Sequence, residues 1–135
     1  MTGLIERLRA QATRRETPCG AGTTVWHVWG EARPGEPPVV LFHGGSGSWT
    51  HWVRNIQPLV AAGRQVIAAD LPGFGDSASP PSGGDADALV APLADGLNRL
   101  LGGEPCDLVG FSFGGLTAGL LLAERPALAR RLVLV

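Results

Sequence analysis

Short runs of unbroken hydrophobic residues alternate along this chain with segments whose apolar positions recur every three or four residues. Leu4, Ile5 and Leu8 fall at helical spacing and predict a short amphipathic helix within residues 3–15. Residues 23–29 are β-branched and aromatic and read as a strand, closed by Gly30 and a Pro/Gly-rich turn at 33–38. Residues 39–42 are continuously apolar, the pattern of a strand covered on both faces of a parallel sheet. Trp49, Trp52, Val53, Ile56, Leu59 and Val60 then mark a helix face, in which Pro58 predicts a kink or a restart. A second buried strand is expected at 65–69. Ser82 and Asp85 open a helix with Leu89, Leu93, Leu97 and Leu100 on one stripe. A third strand follows at 106–110, a helix at 113–124 stopped by Pro126, and a fourth strand at 131–135.

This alternation predicts an α/β fold: a mostly parallel sheet with right-handed crossovers and helices on both faces. The expected organisation is one partial domain over residues 1–135, with an amino-terminal helix and linker at 1–20 and the core sheet and helices at 21–135. Residues 132–135 are followed by no turn or helix, so the pattern reads as cut inside its last strand, leaving an apolar edge.

Composition narrows the class. With 135 residues there is room for one domain. Eleven cations, all arginine, against 12 carboxylates give a net charge of −1, which argues against a nucleic-acid partner that would need a basic face. At 44% hydrophobic and 17% charged, the chain is too apolar for intrinsic disorder. Two cysteines, Cys19 and Cys106, are too few for a disulfide scaffold or a cysteine-built zinc site. Charge at Glu6 interrupts any signal-peptide core, and apolar stretches such as residues 120–123 are far short of a membrane span. The expectation is a cytoplasmic protein without a membrane partner.

The candidate chemistry centres on Gly110-Phe-Ser-Phe-Gly114, a G-x-S-x-G between a predicted strand and a predicted helix. In that context a sharp turn lifts the Ser112 hydroxyl above the strand ends, and the glycines relieve its crowding. The helix start offers free backbone N–H groups to developing negative charge. A second glycine loop, His43-Gly-Gly-Ser-Gly-Ser48, ends another predicted central strand and can supply a further donor. Acyl transfer needs two donors aimed at the oxyanion; Phe113 and Gly45 are the expected pair, with Ser46 a substitute for the latter. A dinucleotide-binding reading fits poorly, since residues 43–48 lack the third glycine of that fingerprint.

Three segments together, Leu41-Phe-His-Gly-Gly-Ser46, Asp70-Leu-Pro-Gly-Phe-Gly-Asp-Ser77 and Val109-Gly-Phe-Ser-Phe-Gly-Gly115, resemble successive signatures of the α/β-hydrolase superfamily over residues 23–135. The nearest resemblance is to lid-bearing serine hydrolases: esterases, lactonases, carbon–carbon bond hydrolases and cofactor-free perhydrolases. It implies Ser112 as catalytic nucleophile, an oxyanion hole from Gly45 and Phe113, a small-molecule carbonyl substrate, and no metal or organic cofactor. A serine at this position disfavours the haloalkane dehalogenase and epoxide hydrolase branches, whose nucleophile is an aspartate. The resemblance gives His43 a structural role and makes the Asp70 segment a turn whose carboxylates bond local backbone.

A serine hydroxyl needs a base, and the base an orienting acid. After Ser112 the only acidic residue is Glu124, about 18 Å down a helix, and no histidine follows. His27 reads as a structural histidine and His51 as a rim residue. Two alternatives stay open: the amino-terminal half of a serine hydrolase completed by a carboxy-terminal half, or a non-catalytic remnant of one.

Overall fold

The structure, a computed structural model, describes residues 2–135. Helix α1 (Thr2–Gln11) leads into a hairpin of β1 (Thr13–Cys19) and β2 (Gly22–Trp29). Then follow β3 (Val39–Phe42), a 3₁₀ turn (Trp49–Trp52), α2 (Ile56–Ala61) and β4 (Val66–Asp70). A second 3₁₀ turn (Ala86–Leu89) runs into α3 (Val90–Leu101), followed by β5 (Cys106–Gly110), α4 (Phe113–Glu124) and β6 (Ala129–Leu134). The strands form one mixed sheet in the order β1-β2-β4-β3-β5-β6. The β1/β2 and β2/β4 pairs are antiparallel; the β4/β3, β3/β5 and β5/β6 pairs are parallel.

Both faces of the sheet are covered, and period-two alternation decides which residue goes where. Val40, Phe42, Ile67, Ala69 and Leu108 pack against Leu93 and Leu97 of α3 and Ala118 and Leu121 of α4. Val39, Leu41, Val66 and Ala68 pack against Leu8, Trp49, Trp52 and Ile56 on the other face. Each buried leucine contributes about 2 kcal/mol of transfer free energy. Two buried indoles are satisfied as well: Trp26 donates to Thr17 Oγ1 and Trp29 to the Leu8 carbonyl, each at 2.8 Å.

Two expectations change. Residues 13–19, read as part of a linker, form β1. The segment is polar, carries Pro18 and buries only Thr17 and Cys19, so it lacks a strand's hydrophobic signature; an edge strand tolerates both features. The helix face at 49–60 is interrupted at residues 53–55, upstream of Pro58. Proline therefore sits in the first turn of α2, where its missing N–H costs nothing.

At the amino ends of the parallel strands, Asp107 ties the sheet's last strand down. Its carboxylate receives Arg64 Nη2 at 2.7 Å and Arg130 Nε at 2.9 Å. The opposite, carboxyl ends of β3, β4 and β5 converge on the glycine loops.

Candidate active site

Strand β5 ends at Gly110, and one residue later the backbone reverses. Ser112 takes φ 53° and ψ −116°, a region that side chains other than hydrogen rarely occupy. The reversal is held on both sides: the Phe111 amide donates to the Phe42 carbonyl at 3.0 Å and the Ser112 amide to the Val135 carbonyl at 3.1 Å. Helix α4 starts at once, its Gly115 and Leu116 amides donating to the Ser112 carbonyl at 2.8 and 3.1 Å. The tightness of this turn explains its glycines. A Cβ on Gly110 would lie 2.6 Å from the Gly114 carbonyl oxygen, and one on Gly114 would collide with the carbonyls of Phe42 and His43.

Ser112 is exposed, and the Phe113 amide is the first of the helix, with no intrahelical acceptor. Gly45 is exposed opposite it: a Cβ there would sit 3.7 Å from Phe113 Cβ. Neither amide donates to another group among the described residues. Ser46 beside them also has positive φ, 60°, so the second glycine loop is strained as well. A cavity of about 400 Å³ includes Ser112, Leu116, Leu120, Leu134 and Val135 in its walls. It follows the groove between α4 and β6, and Gly45 and Phe113 do not line it.

His43 is fully buried; its Nδ1 bonds the Gly44 carbonyl at 2.7 Å and its Nε2 accepts the Leu71 amide at 3.0 Å. Burial lowers its pKa, which keeps the ring neutral with its proton on Nδ1. Asp70, also buried, accepts the Trp49 amide at 2.9 Å and the Asp76 amide at 3.1 Å, and faces His27 Nε2 at 3.4 Å. Both residues thus join loops to the sheet. Trp49 and Trp52 are core, and Cys106 is buried in β5, its thiol pushed up to about 12 by burial first and Asp107 second. Glu124 is exposed at the far end of α4.

Two aromatic neighbours escaped the sequence reading. Phe74, from the turn after β4, packs on His43 (5.3 Å between centroids) and on Phe113 (5.8 Å). Phe111 lies edge-on to His51 at 6.0 Å. Phe111 sits inside the G-x-S-x-G motif and Phe74 between two glycines, which was their only signal.

Residues 37–135 match the profile of a family described as alpha/beta hydrolase fold. The chain belongs to that family. Among curated α/β hydrolases it is similar to a 2-hydroxy-6-oxononadienedioate/2-hydroxy-6-oxononatrienedioate hydrolase of Paraburkholderia phymatum, 30% identical over 138 residues, covering 100% of this chain and 48% of the relative. A 2-hydroxy-6-oxo-6-phenylhexa-2,4-dienoate hydrolase of Comamonas testosteroni is 37% identical over 110 residues, covering 79% of this chain and 38% of the relative. The crystal structure of an epoxide hydrolase from Vigna radiata superimposes with a TM-score of 0.80, covering 93% of this chain and 40% of that one; at 24% identity it speaks for the fold alone. The chain spans less than half the length of each of these α/β hydrolases.

Proposed function

We propose that this chain carries the nucleophile and oxyanion-binding half of a serine hydrolase that acts on a small carbonyl substrate: an ester, a lactone or, as the relatives' names suggest, a 2-hydroxy-6-oxodienoate. The observation that carries the reading is the pairing of a strained, exposed Ser112 with two free amides, Phe113 beside it and Gly45 opposite. In the proposed step Ser112 Oγ attacks the carbonyl carbon while the carbonyl oxygen takes the electron pair. Two N–H groups meet that oxygen, and each such donor is worth about 3 kcal/mol of barrier. The hydroxyl proton passes to a base.

The base is the point at which the chain needs help. His27 and His43 are buried among other partners, and the exposed His51 is engaged by the Gly44 amide at its Nδ1. We assign base and acid to a complementary carboxy-terminal half, which would cover the exposed apolar edge of β6. The two free, buried cysteines fit a reducing compartment such as the cytoplasm. One experiment tests the reading. A fluorophosphonate probe should label Ser112 when the chain is joined to a hydrolase carboxy-terminal half, and should not label Ser112→Ala.

A second reading, a non-catalytic remnant, is favoured by the lack of any hydrogen bond between a histidine and the Ser112 hydroxyl among the described residues. It predicts no labelling of Ser112 in any combination, with the joined protein folded.

A further inference from the structure

We propose that His51 is a positioning residue: its ring sets the shape of the loop that presents the Gly45 amide, and does so only while Nδ1 is unprotonated. The inference rests on the reading of Gly45 as an oxyanion donor. Four contacts converge on this ring. The Gly44 amide donates to His51 Nδ1 at 3.2 Å. The backbone at Gly47 lies against the ring so closely that a Cβ there would collide with it, and a Cβ at Gly44 would sit 3.5 Å from Cε1. Phe111, which precedes the nucleophile, meets the ring edge-on at 82°. The loop at 44–47 is therefore wrapped around an imidazole that also touches the serine turn. This accounts for two of its glycines: Gly44 and Gly47 are small because the ring and Phe111 fill their space. Gly45 has only an ordinary contact there, with Phe113.

The ring's own base is fixed. The His51 amide donates to the Ser48 carbonyl at 3.1 Å, and the Ser48 hydroxyl caps the same turn through the Thr50 amide at 3.3 Å. With the turn held, the ring keeps only rotation about its own side-chain bonds, which the contacts with Gly44, Gly47 and Phe111 restrict.

A neutral imidazole offers one acceptor nitrogen, whereas the imidazolium has none. Protonation at Nδ1 sets an N–H against the Gly44 N–H and removes the clamp. His51 is exposed, so protons reach it. The titratable group packed against it is His43, 5.9 Å away and edge-on, with Asp70 acting electrostatically on His43 from beyond. The hydrogen bonds give the two rings opposite tautomers: Nδ1–H on His43, which faces the Gly44 carbonyl, and Nε2–H on His51, whose Nδ1 accepts the Gly44 amide. No carboxylate forms an ion pair with His51 among the described residues.

Nitrogen-15 NMR of the chain joined to a hydrolase carboxy-terminal half tests this directly. At about pH 8 the His51 ring should be the Nε2–H tautomer, and on acidification over the range in which the ring takes up its second proton the Gly44 and Gly45 amides should move with it. In His51→Gln, whose side-chain carbonyl can still accept, the same amides should stay put across that range. In His51→Ala, the Gly44 amide should exchange about fivefold to tenfold faster, the range an ordinary net hydrogen bond commands. An Nδ1–H tautomer, or Gly44 and Gly45 amides indifferent to the His51 titration while the spectrum stays dispersed, overturns the assignment. Phenylboronic acid, a tetrahedral-oxyanion probe, separates the two ideas. If it perturbs neither the Gly45 nor the Phe113 amide at either pH, the oxyanion reading fails, while the tautomer and co-titration still decide the role of His51.

Discussion

Asp70 holds the backbone of Trp49: its Oδ1 accepts that amide at 2.9 Å, so a carboxylate at the end of β4 fixes the start of the turn that follows β3. Its other oxygen takes the Asp76 amide, closing the turn after β4. One buried side chain thereby sets two of the loops around Ser112. Burial alone would push this carboxyl up, but the His27 contact and the two amides outweigh it and hold its pKa below the usual carboxylate value. The stability it contributes is therefore complete above the unfolded carboxyl's pKa, about 3.9, and is lost as the pH falls through the lower folded value. Asp70→Asn, which turns one acceptor into a donor, should cost about 1–3 kcal/mol near neutral pH and flatten the acid limb of the stability curve. Urea unfolding at a series of pH values measures both. Part of the acid limb will remain, because Asp107 is also held low, chiefly by Arg130.

His43 makes a second buried join, and its neutrality is part of the fit. Because its folded pKa is lowered by burial, its ring opposes protonation, and stability should decline as the pH falls below the unfolded histidine value of about 6.5. His43→Ala should cost about 2–4 kcal/mol by opening a cavity and stranding the Leu71 amide. The same variant should reduce the slope below about pH 6.5 in urea titrations; an unchanged slope would show that another group carries it.

Strain at Ser112 makes an asymmetric prediction. Removing the Cβ in Ser112→Gly relieves a backbone conformation costing about 1–3 kcal/mol, offset in part by glycine's entropy, whereas Ser112→Ala keeps the Cβ and the strain. The glycine variant should therefore melt above the alanine variant, although both lack the hydroxyl. Equal melting temperatures would mean that the turn is not strained.

Glycines in this chain are not equivalent, and two of them give opposite outcomes. A Cβ at Gly110 meets the backbone of α4 at 2.6 Å, so Gly110→Ala should prevent folding or cost more than about 3 kcal/mol. Gly119, inside α4, faces open space, and Gly119→Ala should stabilise by about 0.5–1 kcal/mol through helix propensity. Circular dichroism melts of the pair check both signs.

Along β6 and the residue after it the chain presents Leu132, Val133, Leu134 and Val135 at 37%, 51%, 62% and 68% exposure, on a strand that pairs on one side only among the described residues. Such an edge recruits other chains. The 135-residue chain should self-associate at micromolar concentration, and Val133→Lys should reduce this without altering the core. Light scattering against concentration is the measurement; a monomer insensitive to the substitution would count against an adhesive edge.

How much of this was legible beforehand follows from the range of the interactions involved. The apolar stretches at 39–42, 65–69 and 106–110 marked β3, β4 and β5 within a residue, because strands buried on both faces leave few polar positions to blur their ends. Helix α4 was legible for a similar reason: G-x-S-x-G and Pro126 mark its ends chemically. β1 was not, since an edge strand pairs through its backbone and asks little of its side chains.

At the candidate site, local sequence was enough to expect a sharp turn at Ser112 and a helix start at Phe113, for turn strain and helix ends are short-range properties. The order β1-β2-β4-β3-β5-β6, the closeness of Gly45 to Phe113, and the placement of His51 between Gly44, Gly47 and Phe111 were settled only in three dimensions. Those contacts join residues dozens of positions apart or depend on how a loop folds back on one ring. Composition and periodicity carry no record of which separated segments meet; packing against a common sheet does.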